Sequence, residues 1–160
     1  MRLIPHLWYA KDADEAAKFY ASIIPNSRVD SVDVLPGDSP SGPEGSVKVV
    51  KFTLLGQPVW AITAGPHHEF NDAISLLIEC DTQEEIDRLW EGLGEGGRYV
   101  ACGWLTDRYG LRWQVTARRV AELLGSPDRE KARRATQAFL NMVKVDIAAL
   151  EAAAEGRQAA

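Results

Sequence analysis

A short strand followed by a capped helix occurs twice in this chain, seventy residues apart, and this repeat constrains the fold more than any other feature. Asp12 with Glu15, and Thr82 with Glu85, both have capping-box spacing, in which a side-chain oxygen accepts from a free helix amide while the Glu reaches back. Because two such starts coincide at one offset, we expect two copies of the same strand–helix unit.

A second repeat lies where each copy ends. Residues 56–63 and 110–116 both have the order glycine, two or three residues, Trp, one residue, an aliphatic residue and Thr. This alignment places Ala61 opposite Gln114. The second copy follows a tight Asp-Arg-Tyr-Gly turn at 107–110 between two aromatic-rich segments, which predicts a β-hairpin.

Hydrophobic periodicity extends each copy to strand, helix and three strands, so the sequence predicts an α+β protein built from two βαβββ modules. We expect the first module at 1–64, the second at 65–116 and a helical extension at 117–160, all in one compact domain. The segment 36–45, rich in Pro, Gly and Ser, is predicted as a loop between two strands of the first module.

Composition excludes several classes of protein. The net charge of −5 argues against a nucleic-acid partner, and no apolar run is long enough to span a membrane. Pro5, His6 and Lys11 interrupt any signal-peptide core, so we expect a cytoplasmic protein. Cys80 and Cys102 have no metal-ligand spacing, and we expect both to be reduced and structural.

The motifs together resemble the PhnB-like branch of the vicinal oxygen chelate superfamily, which includes glyoxalase, bleomycin-resistance and extradiol-dioxygenase (dihydroxybiphenyl dioxygenase) proteins. Relatives in this branch carry the label 3-demethylubiquinone-9 3-methyltransferase-like. The resemblance implies modules that curl into facing cups around a cavity, and a homodimer. It rests on IPHLW at 4–8, EAAKFY at 15–20, IPNS at 24–27, SLLIEC at 75–80, EIDRLW at 85–90, GG at 96–97, CGWLTDRYG at 102–110, WQV at 113–115 and KVDI at 144–147.

In metal-dependent relatives, four pseudo-symmetric strand positions supply His, Glu or Gln ligands to a divalent ion. The resemblance maps these positions to Pro5, Ala61, Ser75 and Gln114. Pro and Ala offer no ligand and Ser is a poor one, so we expect neither a metal nor another cofactor. His6 is expected on the opposite sheet face, and His67 and His68 in a solvated loop.

Alternation along the strands predicts which side chains line the cavity. Tyr9 and Glu79 occupy paired positions and are candidate catalytic groups, provided that burial raises the Glu pKa. The opposite face, towards the helices, is expected to carry Trp8, Trp60, Ile62, Ile78, Trp113 and Val115. The predicted ligand-binding residues are Pro5, Leu7, Tyr9, Ala61, Thr63, Ser75, Leu77, Glu79 and Gln114.

Three functions stay open. The first is a metal-independent protein that binds a small organic molecule in the cavity. The second is an enzyme, either a lyase or isomerase that uses Glu79 or Tyr9, or a glyoxalase-type metal enzyme that recruits His6 with Gln114. The third is an interaction module acting through the basic C-terminal helices, which carry Arg129, Lys131, Arg133 and Arg134.

Overall fold

The computed structural model describes residues 1–157 of the chain. They fall into two compact units, Met1–Asn71 and the part from Asp72 onward. Each unit contains one four-stranded mixed sheet. From one edge to the other, its strands are in the order first, fourth, third and second along the chain, and the first is called the outer strand. The module boundaries predicted from the sequence, 1–64, 65–116 and 117–160, stay predictions.

The first unit is a strand and a helix followed by three strands. The outer strand pairs in parallel with the last one, and the other pairings are antiparallel. Its core is an apolar sheet face covered by the helix, in which Ala16 and Tyr20 are fully buried. The elements are β1 (His6–Tyr9), α1 (Ala13–Ile23), β2 (Arg28–Val34), β3 (Lys48–Leu54) and β4 (Gln57–Thr63).

The second unit repeats this order and adds three helices. Its outer strand again pairs in parallel with the last strand of the sheet. The elements are β5 (Leu76–Cys80), α2 (Gln83–Gly94), β6 (Arg98–Tyr99), β7 (Trp104–Thr106), β8 (Arg112–Ala117), α3 (Arg118–Leu124), α4 (Arg129–Leu140) and α5 (Ile147–Ala154). The predicted α+β fold of two βαβββ modules with C-terminal helices is therefore confirmed.

The two predicted capping boxes have different outcomes. At α2, the Thr82 hydroxyl accepts from the Glu85 amide, and the Glu85 carboxylate accepts from the Thr82 amide, as predicted. At α1, the Asp12 side chain makes no capping hydrogen bond, so that prediction is wrong. Asp12 has φ −112° and ψ 28°, whereas Thr82 has the extended backbone that directs a capping side chain onto the helix amides.

The turn between β7 and β8 is organised by Asp107, which is 3% exposed. One carboxylate oxygen accepts from the Tyr109 and Leu111 amides at 2.8 and 3.0 Å, and the other accepts from the Trp113 indole N–H at 2.8 Å. The predicted hairpin is confirmed. Asp107 therefore holds the turn and also satisfies the polar atom of a core indole.

The C-terminal helices are part of the second unit. The Cys102 and Gly103 amides donate to the Met142 and Val143 carbonyls at 2.8 and 2.9 Å, so the segment between α4 and α5 is bonded to the loop between β6 and β7. Val145, in the same segment, is fully buried. This segment therefore supports one corner of the second sheet.

Candidate functional site

The first sheet has a helix side and an open side. On the helix side, the Tyr9 and Tyr20 hydroxyls are hydrogen-bonded at 3.0 Å, and the Thr63 hydroxyl accepts from the Ala13 amide of α1. Leu7 pairs with Ala61, and both are buried. By alternation, the open side carries the intervening residues. They include His6, Trp8, Lys51, Trp60 and Ile62.

The predicted orientation of β1 and β4 is therefore wrong. Leu7, Tyr9, Ala61 and Thr63 were expected in the cavity, but they lie on the helix side. Pro5 precedes β1 and is exposed, and its carbonyl accepts from the Trp60 amide. The residues expected against the helices, Trp8, Trp60 and Ile62, lie on the open side instead.

His6 was expected behind the sheet, and this is also wrong. It is exposed on the open side, with its ring edge-on to Trp60 at 6.4 Å between centroids. His67 and His68 lie in an exposed loop, as predicted, and both contact the edge of Trp8. The Trp8 indole is fixed by a hydrogen bond to the Gly65 carbonyl.

For β4, the error arises from the variable gap allowed in the strand repeat. Gly56 and Gly110 precede the last strands and have φ of +81° and +87°. Counting from these glycines, Trp60 corresponds to Gln114, whereas aligning the two Trp residues placed Ala61 there. Because the side-chain period of a strand is two, this slip of one residue moved every side chain of the strand to the other face.

In the second sheet the predicted orientation is correct. Ile78, Trp113 and Val115 are buried on the helix side, against α2. Leu77 is 55% exposed and pairs with Gln114, so both lie on the open side. Ser75, Leu77, Glu79 and Gln114 thus share one face, as expected.

Gln114 and Ser75 form the centre of this open face. The Gln114 side-chain amide donates to the Ser75 hydroxyl at 2.8 Å, although the two residues are 39 positions apart. The hydrogen bond connects the last strand to the start of the outer strand. The sequence mapping placed these two residues together, and the structure agrees.

Neither candidate catalytic group has the surroundings that general acid–base catalysis requires. Tyr9 is 4% exposed and is enclosed by Tyr20 and Phe70. The Glu79 side chain is 38% exposed, and its carboxylate lies 3.4 Å from the Arg118 guanidinium. The condition placed on Glu79, burial away from solvent, is therefore not met.

A cavity of about 440 Å³ opens on the second sheet, and none of the predicted ligand-binding residues lines it. Trp104, which pairs with Gln114 across β7 and β8, forms one wall. The volume is within the range of small-molecule sites. The lining residues are Asp72, Arg98, Val100, Ala101, Cys102, Trp104, Leu105, Thr106 and Arg112.

A second cavity, of about 380 Å³, lies on the first sheet and is more polar. Lys51 lies over the Trp60 ring and is ion-paired with Asp33 at 2.8 Å. Arg28 is ion-paired with Asp30, whose carboxylate also accepts from the Thr53 hydroxyl. The cavity of the second sheet has the more apolar lining, which is typical of small-molecule sites and favours the second sheet as the candidate site.

The donor set does not fit the divalent ion of metal-dependent relatives. Of the four mapped positions, only Ser75 and Gln114 bring polar side chains together, and they bond to each other. Trp60, the true counterpart of Gln114, has no metal-binding atom. Among residues 1–157, no three His, Cys, Asp or Glu side chains are grouped so that they could hold a metal ion.

Both cysteines are free thiols. Cys80 is buried under α2, and this burial raises the pKa of its thiol to about 11. Cys102 is half-buried at φ +59° in the loop beside the cavity, and its Sγ lies 3.7 Å from the Phe139 carbonyl oxygen. The expected structural role fits Cys80, whereas Cys102 also forms part of the cavity wall.

Several cavity residues were absent from the predicted site. Trp104, Thr106 and Arg112 belong to the predicted hairpin, and Arg98 lies on the short strand before it. The alternation that placed Gln114 on the open face also places Arg112 there, two residues earlier on β8. Arg98 and Thr106 needed the register between β6 and β7, which the sequence pattern does not provide.

This chain is similar to known proteins in both sequence and fold. A family profile described as 3-demethylubiquinone-9 3-methyltransferase matches residues 1–116. A putative 3-demethylubiquinone-9 3-methyltransferase, PhnB protein, from Bacillus cereus is 32% identical, with a TM-score of 0.65 over 73% of this chain and 99% of that chain. A search of curated proteins finds no match.

Two more distant structures are similar in fold. Protein PA1353 from Pseudomonas aeruginosa has a TM-score of 0.58 at 23% identity, over 73% of this chain and 97% of that one. The fosfomycin resistance protein FosX from Listeria monocytogenes, in a complex with Mn(II), has a TM-score of 0.53 at 15% identity, over 72% and 90%. The chain therefore belongs to the PhnB-like family described as 3-demethylubiquinone-9 3-methyltransferase.

Proposed function

We propose that this protein binds a small organic molecule on the open face of its second sheet, without a divalent metal. The observation that carries the proposal is the cavity of about 440 Å³ walled by Trp104, with Arg98, Thr106 and Arg112 among its polar lining. An aromatic wall with a few directed polar groups is typical of small-molecule sites. The half-buried Trp104, which pairs with Gln114, would supply a flat apolar surface for the ligand.

The enzymatic alternatives have less support. The strand-to-helix connections that lead into α1 and α2 contain no glycine, and α3 follows β8 directly, so none of them resembles a loop that cradles a nucleotide-type methyl donor. Tyr9 is enclosed in the core, and Glu79 faces solvent beside Arg118. A metal enzyme that recruits His6 with Gln114 would need further ligands, and among residues 1–157 no three His, Cys, Asp or Glu side chains are grouped to supply them.

An interaction module built on the C-terminal helices is also less well supported. Lys131 is paired with Glu155, and Arg133 with Glu130. Arg134 donates to the Ala154 carbonyl at 2.9 and 2.7 Å. Three of the four basic residues named for this hypothesis are therefore paired within the extension.

The proposal includes a homodimer in the cytoplasm. The resemblance supports the dimer, as do Ile74 and Leu77, which are 68% and 55% exposed at the outer edge of the second sheet. Two unpaired cysteines are usual in a reducing compartment. No helix among residues 1–157 has the length and apolar character to cross a bilayer. Light scattering of the purified protein would measure the assembly.

The binding proposal is tested with native mass spectrometry and thermal-shift titration against small aromatic compounds, including phenol, benzamide and benzoate. We expect at least one compound to bind, and Trp104→Ala to weaken binding several-fold because it removes the aromatic wall of the cavity. Gln57→Ala, at an exposed position of the first sheet, is the matched control and should have no effect. Binding that Trp104→Ala leaves unchanged would place the site elsewhere, and stoichiometric metal in the purified protein would contradict the metal-free proposal.

A further inference from the structure

The cavity of the second unit contains a row of three polar side chains that crosses three strands. The register pairs Arg98 with Thr106 and Thr106 with Arg112. Directly opposed residues on one sheet face have Cβ atoms about 4.5–5.5 Å apart, so their side chains are neighbours. All three line the same cavity. Two arginine residues therefore flank one threonine in this row.

The Thr106 hydroxyl lacks a partner. Of the buried side-chain oxygen and nitrogen atoms in residues 1–157, Thr106 Oγ1 is the one without a hydrogen bond. An unsatisfied buried hydroxyl is costly, and in native proteins it commonly marks a ligand or water position. This hydroxyl can donate to an anionic oxygen placed between the two arginines.

One residue of this row, Arg112, already binds a carboxylate of the protein itself, the side chain of Asp72. Arg112 Nε donates to Asp72 Oδ1 at 2.6 Å, although the Asp72 side chain is 75% exposed. The hydrogen bond from Arg112, together with the charges of Arg112 and Arg98, holds the pKa of Asp72 below its usual value. The row thus stabilises an oxyanion at the cavity, and only two of the five guanidinium N–H groups of Arg112 have protein partners in the described hydrogen bonds.

The rest of the wall is apolar or aromatic. Trp104 lies two residues before Thr106 and on the same face of β7. Val100 and Ala101 continue this wall. A ligand that satisfies both regions has a charged oxygen-rich end and a flat hydrophobic body.

We propose that the site selects small organic carboxylates, with the carboxylate on Arg98, Thr106 and Arg112 and the apolar body against Trp104. This inference rests on the proposed binding function and names the chemical class of its ligand. Arg112 and Arg98 supply charge-assisted hydrogen bonds, and Thr106 donates one more. Asp72 is the internal carboxylate that the ligand joins or displaces.

The test compares benzoate with benzamide, which has the same ring and shape but no charge. Calorimetry on the wild-type protein should give benzoate roughly tenfold tighter binding than benzamide. Arg98→Gln should reduce this preference several-fold, and Arg98→Lys should retain most of it. Thr106→Val should weaken benzoate binding more than benzamide binding while the protein stays folded. Arg133→Gln, on the exposed surface of α4, is the charge-matched control and should change neither affinity.

The outcomes separate this inference from the binding proposal. If benzamide binds as tightly as benzoate, or if Arg98→Gln and Arg133→Gln behave alike, the carboxylate inference is overturned while binding at the open face stands. If neither probe binds but phenol does, the same conclusion holds. If no compound of the panel binds, both proposals fail. Added sodium chloride should weaken benzoate binding only, because screening acts on the charged probe.

Discussion

Asp107→Asn provides a sharp test of how the second module is held together. In the wild-type protein one oxygen of the Asp107 carboxylate accepts from two backbone amides and the other accepts from the Trp113 indole, all at 2.8–3.0 Å. An Asn carbonyl can keep the two backbone bonds. Its NH2 group would then face the Trp113 N–H, donor against donor, in a site where Trp113 is 1% exposed.

The cost follows from these contacts. The lost charge-assisted bond and the unsatisfied indole are worth about 2 kcal/mol, and the two remaining bonds weaken by roughly 0.5 kcal/mol each when the charge is removed. We therefore expect Asp107→Asn to lower the free energy of unfolding by about 3 kcal/mol. Urea denaturation followed by circular dichroism measures the change, with an unchanged m-value as the sign of a native fold.

A double-mutant cycle isolates the indole contribution. Trp113→Phe removes the N–H, so Asp107→Asn in this background no longer creates the donor–donor contact and should cost about 1.5 kcal/mol less than in the wild type. Equal costs in the two backgrounds would refute the assignment of the Asp107–Trp113 bond. A cost below about 0.5 kcal/mol in the wild type would refute the structural role of the turn.

Three further predictions concern local features. Gly103→Ala should lower the free energy of unfolding by about 3 kcal/mol, because an added Cβ at φ +77° would lie 2.4 Å from a carbonyl oxygen of the neighbouring strand. Gly45→Ala is the control: this glycine has φ +82° but open space around it, and the change should cost about 1 kcal/mol in the same urea assay. Thr82→Ala should cost about 1 kcal/mol through the lost capping box, and Asp12→Ala should cost less than about 0.5 kcal/mol. Burial raises the pKa of the Cys80 thiol to about 11, so the folded state keeps this group neutral. The free energy of unfolding is unaffected below pH 9 and should fall by about 2 kcal/mol as the pH rises to 11, a loss that Cys80→Ala should remove in unfolding curves across this range.

Local patterns predicted the elements of this fold well because their causes are local. The helix predicted from the Thr82 capping box is observed as Gln83–Gly94, and the strand predicted after the 107–110 turn is observed as Arg112–Ala117. The capping box at Thr82 and the turn at Asp107 each involve residues within six positions of one another. Such features depend on spacing along the chain, which the sequence displays directly.

The candidate site was only partly predictable because it depends on pairing between distant strands. Ser75 and Gln114 were placed together through the repeat, and they are hydrogen-bonded. The row formed by Arg98, Thr106 and Arg112 required two further strand registers, and β6 is only two residues long. A two-residue strand has too short a pattern to fix its register from sequence alone.

The glycines, rather than the tryptophans, reveal how the two modules correspond. Gly56 and Gly110 both adopt positive φ, which other residues rarely take, so each fixes the turn from which its strand is counted. A Trp can serve either face of a sheet: Trp113 is a core residue, whereas Trp60 lies on the open side under Lys51. With the glycines aligned, Trp60 replaces Ala61 as the counterpart of Gln114. The first module then presents indole surfaces and internally paired charges, and the second presents an amide, a hydroxyl and arginines. The open faces of the two modules therefore differ in chemistry, which is why the proposed ligand site is placed on the second.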